Sequence, residues 1–82
     1  MNKITIIGIR FDETKSQNGK VQEILTSFGC SIRTRLGLNN DDYGQNGALV
    51  ILELSGEQNE IDNLIDKLEN IKGVDVQKMI FA

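Results

Sequence analysis

The chain has 82 residues, with nine Lys and Arg against 12 Asp and Glu, no His, one Cys and no Trp. That length predicts one small domain spanning residues 1–82, and a second module such as a separate DNA-reading unit is not expected. The net charge of -3 has the wrong sign for a broad phosphate footprint, and the missing His removes the usual neutral metal ligand and the usual general base near pH 7.

Met1-Asn2-Lys3-Ile4 offers one basic residue and a short apolar run that soon meets Gly8 and Arg10, so neither a signal peptide nor a membrane span is expected. Lys3 to Phe11 is dense in β-branched residues and predicts a first strand. From about Thr14 to Phe28, Val21, Ile24, Leu25 and Phe28 fall at i, i+3, i+4 and i+7, the stripe of an amphipathic helix, and Gly29 is the expected stop. Ser31 to Leu38 alternates, with Ile32, Thr34, Leu36 and Leu38 on one face and Ser31, Arg33, Arg35 and Gly37 on the other. This predicts an edge strand with one wet face.

Asn39 to Gly47 is the one long polar stretch and predicts an exposed hairpin loop. Ala48 to Leu54 is nearly continuous in apolar residues and predicts a third strand. Ser55-Gly56 then turns the chain into a second helix from about Glu57 to Ile71, with Glu57 and Glu60 at its positive end, Lys67 and Lys72 near its negative end, and Gly73 as terminator. Val74 to Phe81 completes the set as a fourth strand.

The second helical stripe, Ile61, Leu64, Ile65 and Leu68, repeats the first at an offset of 40 positions, so the two halves are one unit used twice. A doubled βαβ of this kind predicts an α+β, ferredoxin-like βαββαβ sandwich: a four-stranded antiparallel sheet, strands one and three central, two helices on one face. Strand one is apolar on both faces, Ile4 and Ile6 on one and Ile7 and Ile9 on the other, and strand three opposes Leu49 and Ile51 to its other apolar residues. Two helices cover one face only. A homo-oligomer, dimer or tetramer, is therefore expected, with its contact on the open face around Ile7, Ile9 and strand three or along the edge strand bearing Arg33 and Arg35. The alternative is that Thr5, Glu53 and the two arginines dilute the open face enough to keep a monomer in solution.

Ser16 to Leu38, SQNGKVQEILTSFGCSIRTRLGL, and Asn46 to Gln77, NGALVILELSGEQNEIDNLIDKLENIKGVDVQ, resemble the small ACT-like proteins of the iron-only hydrogenase system regulator family. The resemblance covers nearly the whole chain and is densest at Lys20-Val21, Glu23-Ile24-Leu25, Phe28-Gly29, Ile32 and Arg35-Leu36-Gly37. It implies a stand-alone ACT-like domain, related in fold to the ligand-binding domain of the nickel-responsive repressor, that acts in the regulation or maturation of iron-only hydrogenases. The nickel-responsive relatives bind metal through His and Cys, and a chain without His does not carry over that site. Asn18-Gly19 falls about one helical turn too close to Gly29 to match the glycine of amino-acid-binding ACT domains.

The candidate ligand- or partner-binding residues are Gly8, Arg10, Phe11, Arg33, Arg35 and Tyr43. Gly8 and the segment Arg10 to Asp12 stand where, by the resemblance, ACT-type folds hold effectors at an interface; Gly8 also has a plainer explanation, a position where a Cβ would collide with a neighbour. Arg33 and Arg35, two apart, are expected on one open face, either meeting an anion or acidic partner or serving as solvated edge-strand charges. Tyr43 is a lone aromatic in a polar loop, a partner anchor or a ring folded back on the sheet. Asp41 and Asp42 lack the spacing of a calcium loop. Cys30, the single thiol, fits a reducing cytoplasmic setting and is expected to be an ordinary buried small residue. No nucleophile has a recognisable base, no glycine loop cradles phosphate and no metal cluster is spaced for binding, so a non-catalytic module without cofactor or metal is expected, with a small effector or a protein as partner and no direct contact with nucleic acid or membrane.

Overall fold

The computed structural model describes residues 3–12, 17–39 and 47–82. Its elements run β1 (Ile4–Asp12), α1 (Gln17–Ser27), a 3₁₀ turn (Gly29–Ser31), β2 (Ile32–Asn39), β3 (Gly47–Leu54), α2 (Gln58–Glu69) and β4 (Asp75–Phe81). The four strands form one antiparallel sheet in the order β2-β3-β1-β4, so the two most apolar strands are the central ones. This is the expected ferredoxin-like arrangement.

Burial along β1 alternates strictly. Thr5, Ile7, Ile9 and Phe11 face the helices, while Ile4, Ile6, Gly8 and Arg10 face away. Pairing of Ile7 with Leu52 and Ile9 with Val50 sets the register that puts both strands' buried residues on one face. The helices close over it with Val21 and Leu25 from α1 and Ile61, Leu64, Ile65 and Leu68 from α2, all buried. Each fully buried aliphatic side chain contributes about 1.5–3 kcal/mol of transfer free energy, which is why the stripe rather than helix propensity holds these short helices. The expectation that the uncovered face lies around Ile7 and Ile9 is therefore corrected: both are 0% exposed. Period-two alternation separates the faces of a strand but does not say which one the helices take.

Two terminators differ in kind. Gly73 adopts φ +87, beyond α2 as expected, and lets the chain reverse into β4. Gly29 instead opens the 3₁₀ turn, in which the Ser31 N–H donates to the Phe28 carbonyl at 2.9 Å. The helix thus tightens into β2 rather than ending on a left-handed residue.

Candidate functional site

The uncovered sheet face is built row by row from the register. Leu38, Leu49, Arg10 and Asp75 form one row across the sheet, Leu36, Ile51, Gly8 and Gln77 the next, and Thr34, Glu53, Ile6 and Met79 the third, with Ile4 and Phe81 paired beyond it. An apolar band therefore runs diagonally from Leu38 to Phe81, with Gly8 near its middle. The Arg10/Asp75 corner and the Thr34/Glu53 corner lie on either side of the band. Leu36, Met79 and Phe81 are 52%, 55% and 50% exposed, values far above those of the covered face. A depression of about 400 Å³ opens over Gly8, walled by Ile6, Arg10, Leu49, Ile51 and Met79.

Gly8 is not dictated by packing inside the chain. A Cβ there would meet Ile51 Cδ1 at 3.5 Å, ordinary van der Waals contact. The absent side chain instead deepens the surface at the centre of an apolar face. Arg10 is exposed beside it, opposite Asp75. Phe11 points to the other side and is 4% exposed within the core, so as a binding residue it is corrected to a core residue.

The shared face expected for Arg33 and Arg35 is also corrected. The pairing of β2 with β3 shifts between Ile32 and Thr34, so Ile32 lies opposite Leu54 whereas Thr34 lies opposite Glu53. One extra residue in the strand reverses every later side chain. Thr34, Leu36 and Leu38 move to the uncovered face, and Arg35, opposite Leu52, moves to the helix side, where its Nη2 donates to Gln22 Oε1 of α1 at 2.8 Å. Arg33 stays exposed in the bulge. Thr34 Oγ1 donates to Glu53 Oε1 at 3.0 Å, tying the edge strand to its neighbour. Tyr43, like Asp41 and Asp42, lies outside the described residues.

Leu36, Leu38, Met79 and Phe81 were not among the expected site residues. The alternation Asp75, Gln77, Met79, Phe81 carried the signal for the last two, because a residue paired with Ile6 or Ile4 must share its face. Among the described residues no group of three His, Cys, Asp or Glu is arranged to hold a metal ion. The expected burial of Cys30 is corrected: it is exposed, in the middle of the 3₁₀ turn between α1 and β2. Among the described residues no helix is long and apolar enough to cross a membrane.

This architecture agrees with what the chain is similar to. The family model described as "TM1266-like: Iron-only hydrogenase system regulator, putative" matches residues 3–78. The chain belongs to this family. Among solved structures, the protein TM1266 from Thermotoga maritima is 27% identical over 99% of this chain and 100% of its own, with a TM-score of 0.85. The ACT domain from GTP pyrophosphokinase of Chlorobium tepidum follows at TM-score 0.69 and 19% identity, covering 93% of this chain and 96% of that one. The nitrogen regulatory PII-like protein CPII from Thiomonas intermedia K12 has a TM-score of 0.60 at 9% identity, over 98% and 90% of the two chains. At such identities the ACT and PII-like structures establish the fold alone. None of the curated proteins matches. As a member of the TM1266-like family, the chain is a small ACT-like domain whose family description is regulatory.

Proposed function

We propose that this TM1266-like protein is a non-catalytic regulatory module of the iron-only hydrogenase system, active in the cytoplasm as a homodimer that buries the uncovered sheet face and encloses the depression over Gly8. The observation that carries this reading is the exposure of Leu36, Met79 and Phe81 on one continuous apolar band. Four strands about 4.8 Å apart and roughly seven residues long give a face of about 450 Å² in projection. That face, polar corners included, falls within the roughly 300–600 Å² of the largest patches on monomer surfaces, which are often functional. Stacked on a copy it buries about 900 Å² in total, a small interface of the weak, reversible kind.

A second copy is favoured as the occupant by the shape of the apolar band. Rotating a copy about an axis along the band lays band on band, while the Arg10/Asp75 corner of one subunit, neutral as a pair, comes over the Thr34/Glu53 corner of the other. An isologous contact of this kind encloses two copies of the Gly8 depression, a setting for a small effector. The acidic net charge and the lack of a basic stripe support regulation through protein or effector contacts rather than operator binding.

Light scattering across a concentration series tests the dimer, for which a species of 9.1 kDa at every concentration is the failing result. The effector is sought by thermal shift, because a ligand selective for the folded state raises its apparent stability. The PII-like protein of Thiomonas intermedia bound to ADP, AMP and bicarbonate supplies the first ligand panel.

A further inference from the structure

At the end of the sheet where α2 begins above β1 and β3, a cleft of about 500 Å³ is lined by Thr5 and Leu54 from the helix side and by Ile4 and Glu53 from the uncovered side. Lys3, Arg33, Ser55, Gly56 and Gln58 also line it. Three features converge there.

The helix start is uncapped. Glu57 occupies the N-cap position without a side-chain hydrogen bond, and the first N–H groups to find a carbonyl are those of Glu60 and Ile61, both on Glu57. The N–H groups of Gln58 and Asn59 therefore leave the helix end without a protein acceptor among the described residues, at the positive end of the helix dipole. Beside them stand the two buried polar side chains among the described residues, Thr5 at 3% exposure and Ser31 at 7%. Neither hydroxyl has a hydrogen-bond partner there, although the Ser31 backbone carbonyl accepts from the Ser55 N–H at 2.8 Å. Buried hydroxyls are nearly always partnered, because leaving one unmade forfeits its hydration without return. Thr5 lines the cleft itself, and Ser31 Oγ lies 3.9 Å from where a Cβ on Gly56 would stand. Gly56, at φ +103, keeps that approach free of a side chain.

The helix end, not the rim, decides the ligand's charge. Lys3 and Arg33 are exposed cations at the mouth, and the acids are Glu53 and Glu57. These four charges cancel, and the Glu53 carboxylate already accepts from Thr34. The helix end and its donors then set the sign, which suits a small oxyanion rather than a polyphosphate.

We infer that this cleft is a binding site for a small oxyanion, a carboxylate or phosphate group, held by the Gln58 N–H group at the start of α2 and the Thr5 hydroxyl, with Lys3 and Arg33 at its mouth. The site borders the proposed dimer face at Ile4 and Glu53 but takes its donors from the helix side, Thr5 and the start of α2.

The test is an amide-shift titration of the ¹⁵N-labelled full chain with sodium phosphate, and separately with sodium acetate, against sodium chloride at matched ionic strength. Saturating shifts confined to Thr5, Ser31, Gly56, Gln58 and Asn59 are expected in one or both oxyanions, and which one responds identifies the ligand group. Replacing Lys3→Gln and Arg33→Gln together, both at exposed positions, weakens that binding by about tenfold while leaving the spectrum folded. Thr5→Val removes one donor at constant shape, so it weakens binding and raises the midpoint of thermal unfolding, a pairing that mere damage to the fold does not produce. Absence of saturating shifts in both oxyanions, an equal response to chloride, or unchanged affinity in the Lys3/Arg33 double variant would each overturn the inference.

Discussion

Replacing Leu36 by Lys separates the stability of the chain from the stability of its assembly. Leu36 is 52% exposed in the single chain, on the edge strand β2, opposite Ile51. In the monomer the change is mild, since an edge strand accepts Lys and half of the leucine already meets water. In the dimer the exposed half becomes buried. Full burial of a leucine is worth about 1.5–3 kcal/mol, so the remaining half contributes about 0.8–1.5 kcal/mol per subunit. Because an isologous interface uses each residue twice, the loss is about 1.6–3 kcal/mol, which corresponds to a dissociation constant roughly 15- to 140-fold higher. The lysine stem recovers some apolar contact, while desolvating its ammonium costs more, so the low end of that range is a floor. Sedimentation velocity from about 1 to about 200 µM brackets the association expected for an interface of this size. The reasoning is refuted if the parent chain sediments at 9.1 kDa throughout, or if the Leu36→Lys curve superposes on it.

Gly8→Ala fills the centre of the same face. With Ile51 Cδ1 at 3.5 Å the new methyl fits, so unfolding of the monomer in urea at low concentration is expected to gain about 0.5–1 kcal/mol while dimerisation weakens; a loss of monomer stability falsifies the geometry. Leu64→Ala, at a 0% exposed position between α2 and the sheet, should cost about 2–5 kcal/mol, enough to leave a domain this small partly unfolded by circular dichroism at room temperature. Gly73→Ala places a Cβ at φ +87 and is expected to lower the urea midpoint by the equivalent of about 1 kcal/mol, with an unchanged midpoint counting against the strain.

Much of the architecture was legible because the signals are local. The stripes Val21, Ile24, Leu25, Phe28 and Ile61, Leu64, Ile65, Leu68 define two helices that must lie on a common apolar surface, and both halves carry the same strand-helix-strand order. The helix ends within the described residues shifted by one or two residues, since hydrogen bonds rather than composition place them: α2 starts at Gln58 because Glu57 is extended, and α1 runs into a 3₁₀ turn because Ser31 reaches back to Phe28.

The candidate site was less legible. Gly8 and Arg10 were named from the sequence and do border the depression, yet Phe11 beside them belongs to the core, and Leu36, Met79 and Phe81 were passed over as ordinary strand residues. A single alternating strand has two faces of equal standing until a neighbour is paired with it. The oxyanion cleft had no sequence signal at all, since Thr5 reads as one more β-branched residue in an isoleucine-rich strand and Ser31 as part of a turn.

The sequence by itself determined an 82-residue doubled unit, its two helical stripes, its four strands and a sheet with more apolar surface than two helices can cover. Only the tertiary structure decided which surface that is. Ile7 and Ile9 go under the helices because Thr5, Ile7, Ile9 and Phe11 align in register with Ala48, Val50, Leu52 and Leu54, leaving Ile4, Ile6 and Gly8 outside. It also decided the fate of the two arginines. A bulge at Ile32/Thr34 costs the strand one residue of register, and since side chains alternate with a period of two, that one residue sends Arg35 to helix α1 and brings Leu36 and Leu38 onto the open face.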